Sequence, residues 1–201
     1  ILETGEVYTW GAGKYGCLGH GDQDDASEPR LVEYFLPKSN QLDESYDAEL
    51  EKEIEDELRS KESHEMENKS DEKSVSGESE PGHSSGFVFI TQVACGLQHT
   101  LALDSNGNVY TWGLGQYGRL GHGGEANEYE PRVLKSLAHQ NIKVEVVRCG
   151  WDHSAVITKG NGHVYTWGCG RSFQLGGVGL SSHAGTGDFQ AKPTKVIQWN
   201  S

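Results

Sequence analysis

The chain has 201 residues, a net charge of −13, 27 glycines and four cysteines, and 34% of its residues are hydrophobic. It holds no run of basic residues, which argues against a direct DNA- or RNA-binding surface, and no apolar run approaching 18 residues, which argues against a membrane-spanning helix. Cys17, Cys95, Cys149 and Cys169 form no C-x-x-C pair and no disulfide framework, so a reducing compartment inside the cell, cytoplasm or nucleus, is expected.

The chain begins with Ile1 and reads as a piece of a longer protein. Its first predicted strand, Val7–Thr9, runs into "GAGKYGCLGHG", Gly11 to Gly21, which contains G-x-G-x-x-G. A dinucleotide-binding loop of that form opens a helix at its last glycine. Here Gly16 is followed by "CLGHGDQDD", too glycine-rich and polar to begin one, so the glycines are assigned to a tight reversal between strands. Asp22, Asp24 and Asp25 lie in the same loop without the register of a calcium-binding loop and read as a solvated turn. A second strand is expected over Pro29–Tyr34.

The same stretch returns twice. "GEVYTWGAGKYGCLGHG" (Gly5 to Gly21) reappears as "GNVYTWGLGQYGRLGHG" (Gly107 to Gly123) and, altered, as "GHVYTWGCGRSFQLGGV" (Gly162 to Val178). "VACGLQHTLAL" (Val93 to Leu103) likewise matches "VRCGWDHSAVI" (Val147 to Ile157). Trp112 and Trp167 are 55 residues apart, and Cys95 and Cys149 are 54 apart. Trp10 and Trp112 are 102 apart, one period plus a surplus that matches the compositionally distinct segment Lys38–Ser85. That segment carries 16 acids and 6 bases, so the acidity of the chain is local. Within it Tyr46, Leu50, Ile54 and Leu58 have the spacing of a short amphipathic helix, and the Ser-rich, charged remainder has the composition of disorder.

The central repeat is read as four antiparallel strands. "FVFITQVACG" supplies strand a and "HTLALD" strand b, Asn106-Gly107 the hairpin turn, "NVYTWG" strand c, and "EPRVLKSL" strand d, opened by Pro131. Four-stranded units at this period predict an all-β fold, the blades of an incomplete β-propeller. The expected domains are a half blade of strands c and d over 1–37, the acidic insertion over 38–85, and complete blades over 86–140 and 141–201. Two and a half blades fall short of the four or more a closed ring needs. Trp10, Trp112 and Trp167 recur at one strand position and are expected to pack between blades. His99 and His153 follow a Cys by four residues; two such ligands per blade do not make a zinc site, and hydrogen bonding to backbone at the a–b turn is expected instead. His20 and His122 in "LGHG" are expected to be solvated or locally bonded. No metal and no cofactor is expected.

The pieces "G-x-V-Y-T-W-G-x-G-x-x-G-x-L-G", "C-G-x-x-H-T/S" and "E-P-R-x-V/L" resemble the repeats of the regulator of chromosome condensation family over about 150 residues, everything but the insertion. The resemblance implies a seven-bladed propeller, commonly one module of a larger protein. Members of the family include a nucleotide exchange factor for a nuclear small GTPase, modules of large ubiquitin ligases, plant UV-B photoreceptors and adaptors. It therefore offers three functions: a protein-interaction module, a guanine-nucleotide exchange factor, and a UV-B sensor. The photoreceptors repeat "G-W-R-H-T", whereas this chain has "GWDHS" once, with Asp152 in place of the arginine and Leu97 in place of the other tryptophan. No catalytic constellation stands outside the repeat pattern, which favours the interaction module, with a small GTPase or a ubiquitin-pathway component as partner. In an a–b–c–d meander the a–b and c–d connections share one end. That groups Lys14, Tyr15, Gln98, Gln116, Tyr117, Arg119, Trp151, Asp152, Arg171 and Phe173 on one candidate protein-binding face.

Overall fold

The computed structural model describes residues 1–37, 87–176 and 189–196. Contacts divide the chain into a unit of Ile1–Leu36 with Phe87–Ser201 and a second unit, Pro37–Gly86. The acidic segment and its expected helix lie outside the described residues. Among the described residues of the first unit there are ten strands: β1 (Tyr8–Gly11), β2 (Ala26–Leu31), β3 (Ile90–Cys95), β4 (His99–Asp104), β5 (Val109–Gly113), β6 (Glu128–Val133), β7 (Val144–Cys149), β8 (His153–Thr158), β9 (Val164–Cys169) and β10 (Phe189–Lys195). They form a two-stranded sheet, β1-β2, and two four-stranded antiparallel meanders, β3-β4-β5-β6 and β7-β8-β9-β10. The all-β architecture of antiparallel four-stranded sheets agrees with the fold class read from the repeats.

Alternation along the central blade sorts its side chains between two neighbours, as the period of a pleated strand requires. Leu101, Leu103 and Val109 face the third repeat and pack with Leu134, Val144, Val147, Val156 and Trp167. Ala102, Tyr110 and Trp112 face the other way, against Val7, Val32, Phe35 and Ile90. Every residue of β4 and β5 is consequently buried. Phe35 meets Tyr110 edge-on with ring centroids 5.4 Å apart, a geometry that favours the aromatic quadrupoles.

The outer strand differs from its sequence expectation. Pro131 does not open strand d but lies inside β6, and the following "KSLA" is one turn of helix, α1 (Lys135–Ala138), whose Leu137 enters the core. The reason is a bulge. Thr111 pairs with Arg132 and Gly113 with Glu128, so the register slips across the proline. Pro29 and Pro193 fall in the matching slips of β2 and β10. An edge strand tolerates the missing N–H there, and the bulge with its proline discourages pairing with a foreign strand.

The first glycine loop also meets its expectation. Only three-residue 3-10 turns, Lys14–Gly16 and Gln116–Gly118, occur where a phosphate-binding helix would begin. Among the described residues no helix is long and apolar enough to cross a membrane.

Candidate protein-binding face

The loop end of the blades is assembled around two main-chain carbonyls. Trp112 Nε1 donates to Cys17 O at 3.0 Å, and Thr100 Oγ1 donates to the same oxygen at 3.0 Å. One blade on, Trp167 Nε1 donates to Arg119 O at 2.9 Å and Ser154 Oγ to that oxygen at 2.8 Å. Each blade thus grips the glycine loop of the preceding repeat through one indole and one hydroxyl, filling both lone pairs of a carbonyl. Trp112 and Trp167 are fully buried between sheets, while Trp10, at the equivalent place in β1, is 61% exposed. Trp10 has no neighbouring blade against it among the described residues.

The loops themselves are held locally. Thr9 Oγ1 donates to Leu18 O (2.7 Å), Thr111 Oγ1 to Leu120 O (2.8 Å) and Thr166 Oγ1 to Leu175 O (2.9 Å). His20 and His122 bond the same threonines through Nε2, at 2.9 and 2.8 Å. The carboxylate of Asp25 accepts from Gly13 N, and Asn127 Oδ1 does the same for Gly115 N. Asp22 pairs with Arg30 at 2.9 Å. The Asp25 contact lies within the first glycine loop and the Asp22 contact joins that loop to β2, and among the described residues no three His, Cys, Asp or Glu side chains converge on a metal position.

The two repeat histidines differ from one another. His99 is fully buried, and its Nε2 lies 3.0 Å from Ser154 Oγ in the next blade rather than on its own turn. The single Ser154 proton goes to Arg119 O, so His99 donates through Nε2 and its Nδ1 is left a bare lone pair over Gly96, without a partner. Burial first, and then the nearby Arg119 and His153, push the His99 pKa down to about 3. His153 lies under Gly150, and burial lowers its pKa against the pull of Asp152.

On this scaffold the loops bring together part of the expected face. Gln98 O accepts from Leu114 N (2.8 Å) and Asp152 O from Cys169 N (2.9 Å), tying each a–b turn to the c–d loop of its own blade. Leu97 N donates to Trp151 O at 3.1 Å, joining the turns of adjacent blades. Trp151 projects outward, 77% exposed. Next to it Asp152 Oδ1 is 3.0 Å from Arg119 Nη1, an ion pair without hydrogen-bond alignment. Arg119 is only 2% exposed; its Nε donates to Gln116 O at 2.8 Å and its guanidinium lies 5.7 Å from the Tyr117 ring. Arg171 covers that ring at 4.7 Å. Lys14 and Tyr15 stack on each other at 4.7 Å. Phe173, 70% exposed, stands where the other repeats have Gly16 and Gly118, and keeps their left-handed backbone at φ 62°. A Cβ at Gly16 would lie 2.7 Å from Tyr129 of β6, and one at Gly118 2.4 Å from Ala191 of β10. Those glycines let the next blade's outer strand close on the loop.

The Arg119–Asp152 pair was not legible as a pair from the sequence, although a signal for it exists. Both residues depart from the repeat, Arg119 from Cys17 and Asp152 from Gln98, and they do so in consecutive blades with opposite charge.

Antiparallel four-stranded meanders linked in this way are the blades of a β-propeller. The chain belongs to the family of the regulator of chromosome condensation (RCC1) repeat, whose two profiles match residues 4–39 and 106–157, and residues 90–119 and 144–174. It is 35% identical over 187 residues to the human E3 ubiquitin-protein ligase HERC2, covering 88% of this chain and 4% of the ligase. It is 30% identical over 176 residues to the Arabidopsis thaliana ultraviolet-B receptor UVR8, covering 88% of this chain and 28% of the receptor. Of solved structures, human WBSCR16 superposes with a TM-score of 0.57 at 23% identity, over 97% of this chain and 34% of that one. Prp20p of Saccharomyces cerevisiae, described with its binding to Gsp1p and histones, superposes with a TM-score of 0.60 at 18% identity, over 98% and 35%. The chain thus spans about a third or less of each of these relatives.

Proposed function

We propose that the chain is a protein-interaction module that offers its a–b and c–d loop end to a protein partner. The observation that carries this reading is Trp151, an indole left 77% exposed on a turn whose backbone is fixed on both sides. An exposed tryptophan on a rigid mount loses little conformational entropy on binding, and Trp, Tyr and Arg dominate interface energetics. Leu97 is bonded to its backbone, Asp152 follows it and pairs with Arg119, and Arg119 and Arg171 both lie against the Tyr117 ring. The similarity to a ubiquitin ligase favours a partner in the ubiquitin pathway, and the four free cysteines suit a reducing compartment. The test is capture of partners from a lysate by covalent crosslinking to the whole chain. Trp151→Ala and Arg171→Glu, both at exposed positions, are expected to abolish capture with an unchanged β-sheet spectrum. Capture that survives both substitutions defeats the assignment of this face.

Guanine-nucleotide exchange is a second reading, supported by the likeness of shape to Prp20p. It predicts that the chain accelerates release of a fluorescent guanine nucleotide from a small GTPase, and that Trp151→Ala slows that release. UV-B sensing has less support, since no aromatic ring contacts Trp151 among the described residues.

A further inference from the structure

The opposite end of the blades, where the b–c and d–a connections lie, carries a cleft that the repeat pattern does not explain. It has a volume of about 350 Å³ and is lined by residues that include Lys143, Thr158, Lys159, Asn161, His163 and Tyr165. The same corner of the central blade carries different residues. There Phe89 occupies the position of Lys143, and stacks edge-on against Phe87. There too Asp104 stands where the third blade has Thr158, its carboxylate closing the hairpin through the Asn106 and Asn108 amides at 2.9 and 2.8 Å. The two corners are otherwise built alike: Ser105 N donates to Phe89 O and Lys159 N to Lys143 O. The third blade therefore loses two phenylalanines and a carboxylate and gains two lysines, a histidine and one extra hairpin residue, which widens the turn closed by Gly162 N and Thr158 O.

Among the described residues the cations gathered there have no anionic partner. Lys143 Nζ donates to the neutral Asn108 Oδ1 at 3.1 Å. Lys195 Nζ lies 3.1 Å from His163 Nε2; an ammonium only donates, so that imidazole nitrogen accepts. Among the described residues no carboxylate lies within ion-pair distance of Lys143, Lys159 or Lys195; the ion pairs are Arg30–Asp22, Arg119–Asp152 and Arg132–Glu128. Lys143 and Lys159 line the cleft and Lys195 reaches its rim through His163; like charges gathered in this way repel one another, and the arrangement is stabilised when an anion sits between them.

We propose that this cleft is an anion-binding site that takes the phosphoryl group of a phosphorylated serine or threonine in a protein partner. Lysines bind phosphate as movable point charges, and the two that line the cleft match the charge of a phosphoryl dianion, which is about twice that of a carboxylate. Ile142 and Tyr165 supply apolar wall for the residues that flank the modified side chain. A nucleic-acid backbone is disfavoured because it presents a run of phosphates, whereas Lys143 and Lys159 are the cations that line the cleft and suffice for a single dianion.

The whole chain, labelled with nitrogen-15, is titrated with N-acetyl-O-phosphoserine N-methylamide, with its serine and aspartate counterparts, with inorganic phosphate and with a single-stranded oligonucleotide. The phosphoserine compound is expected to shift amides confined to 141–144 and 158–165, to be displaced by added salt, and to bind more tightly than inorganic phosphate. Lys143→Gln and Lys159→Gln, at exposed positions, are each expected to weaken it about tenfold while the rest of the spectrum stays in place. Equal binding of the aspartate compound, tighter binding of the oligonucleotide, shifts elsewhere, or affinity indifferent to both lysine substitutions overturns the proposal.

Discussion

A glycine in "LGHG" illustrates how little room the blade junction leaves. A Cβ at Gly121 would lie 2.9 Å from Trp167 Nε1, and the backbone there has φ +83°. Gly121→Ala therefore strains the main chain by about 1–2 kcal/mol and displaces an indole whose hydrogen bond contributes about 1 kcal/mol. A loss of about 2–3 kcal/mol in denaturant unfolding is expected, against under about 0.5 kcal/mol for Gly124→Ala, where a Cβ would meet nothing within 4 Å. The histidines set the response to acid. The His99 pKa is pushed down to about 3 and that of His122 to about 4, both chiefly by burial. An unfolded histidine titrates near 6.5, so the unfolded chain takes up these protons first. Stability is then complete above about pH 6.5 and falls as pH drops toward the folded values, by about 2 kcal/mol for His99 between pH 7 and 5. Unfolding midpoints measured across that range check this; a midpoint that rises on acidification contradicts it. The thiols should also separate. Burial pushes the Cys149 pKa up to about 12 and Cys169 is buried, whereas Cys95 is exposed. Brief alkylation of the native chain, read by mass spectrometry, is expected to mark Cys95 and spare Cys149 and Cys169.

Between elements, the Arg119–Asp152 pair fastens the c–d loop of one blade to the a–b turn of the next. Its members are unequal, since Arg119 is buried and Asp152 is only partly so. Asp152→Asn leaves a buried guanidinium without its counter-charge, whereas Arg119→Met leaves a carboxylate that water can reach. The first is therefore expected to destabilise the chain more, by about 1–3 kcal/mol in equilibrium unfolding, and equal effects would show that the charge is not felt. The limits of sequence reading are plainest at this scale. Strands b and c were legible to within a residue, because alternation and the Asn106-Gly107 turn are local signals. Strand d was displaced, because Pro131 reads as a strand opening when its neighbours are unknown and becomes an interior bulge residue only once β5 is beside it. The pair and the cationic cleft each need residues from two connections at once, which no single window contains.

Across the molecule, stacking of repeat on repeat divides the tryptophans. Trp112 and Trp167 are fully buried, and Trp10 and Trp151 are largely exposed. Collisional quenching of the native fluorescence by iodide is expected to resolve at least two classes, and Trp10→Ser is expected to remove an accessible emitter with little change in stability. Trp112→Ser should instead cost about 3–5 kcal/mol. The repeat period alone announced the blades and their order. It did not announce that the third repeat departs from the others at both of its ends, with Phe173 for a glycine in one loop and Lys143 and Lys159 in the opposite corner. Such departures become informative when the undisturbed copies show what the position normally does.

The oxygens that receive each indole belong to Cys17 and Arg119, two residues with nothing in common as side chains. Because the latch is peptide and not side chain, the bond that the indole makes does not depend on which side chain stands at that position. Evolution is thereby free to write a new chemical character on every loop of the array, and at Arg119 it has written a charge.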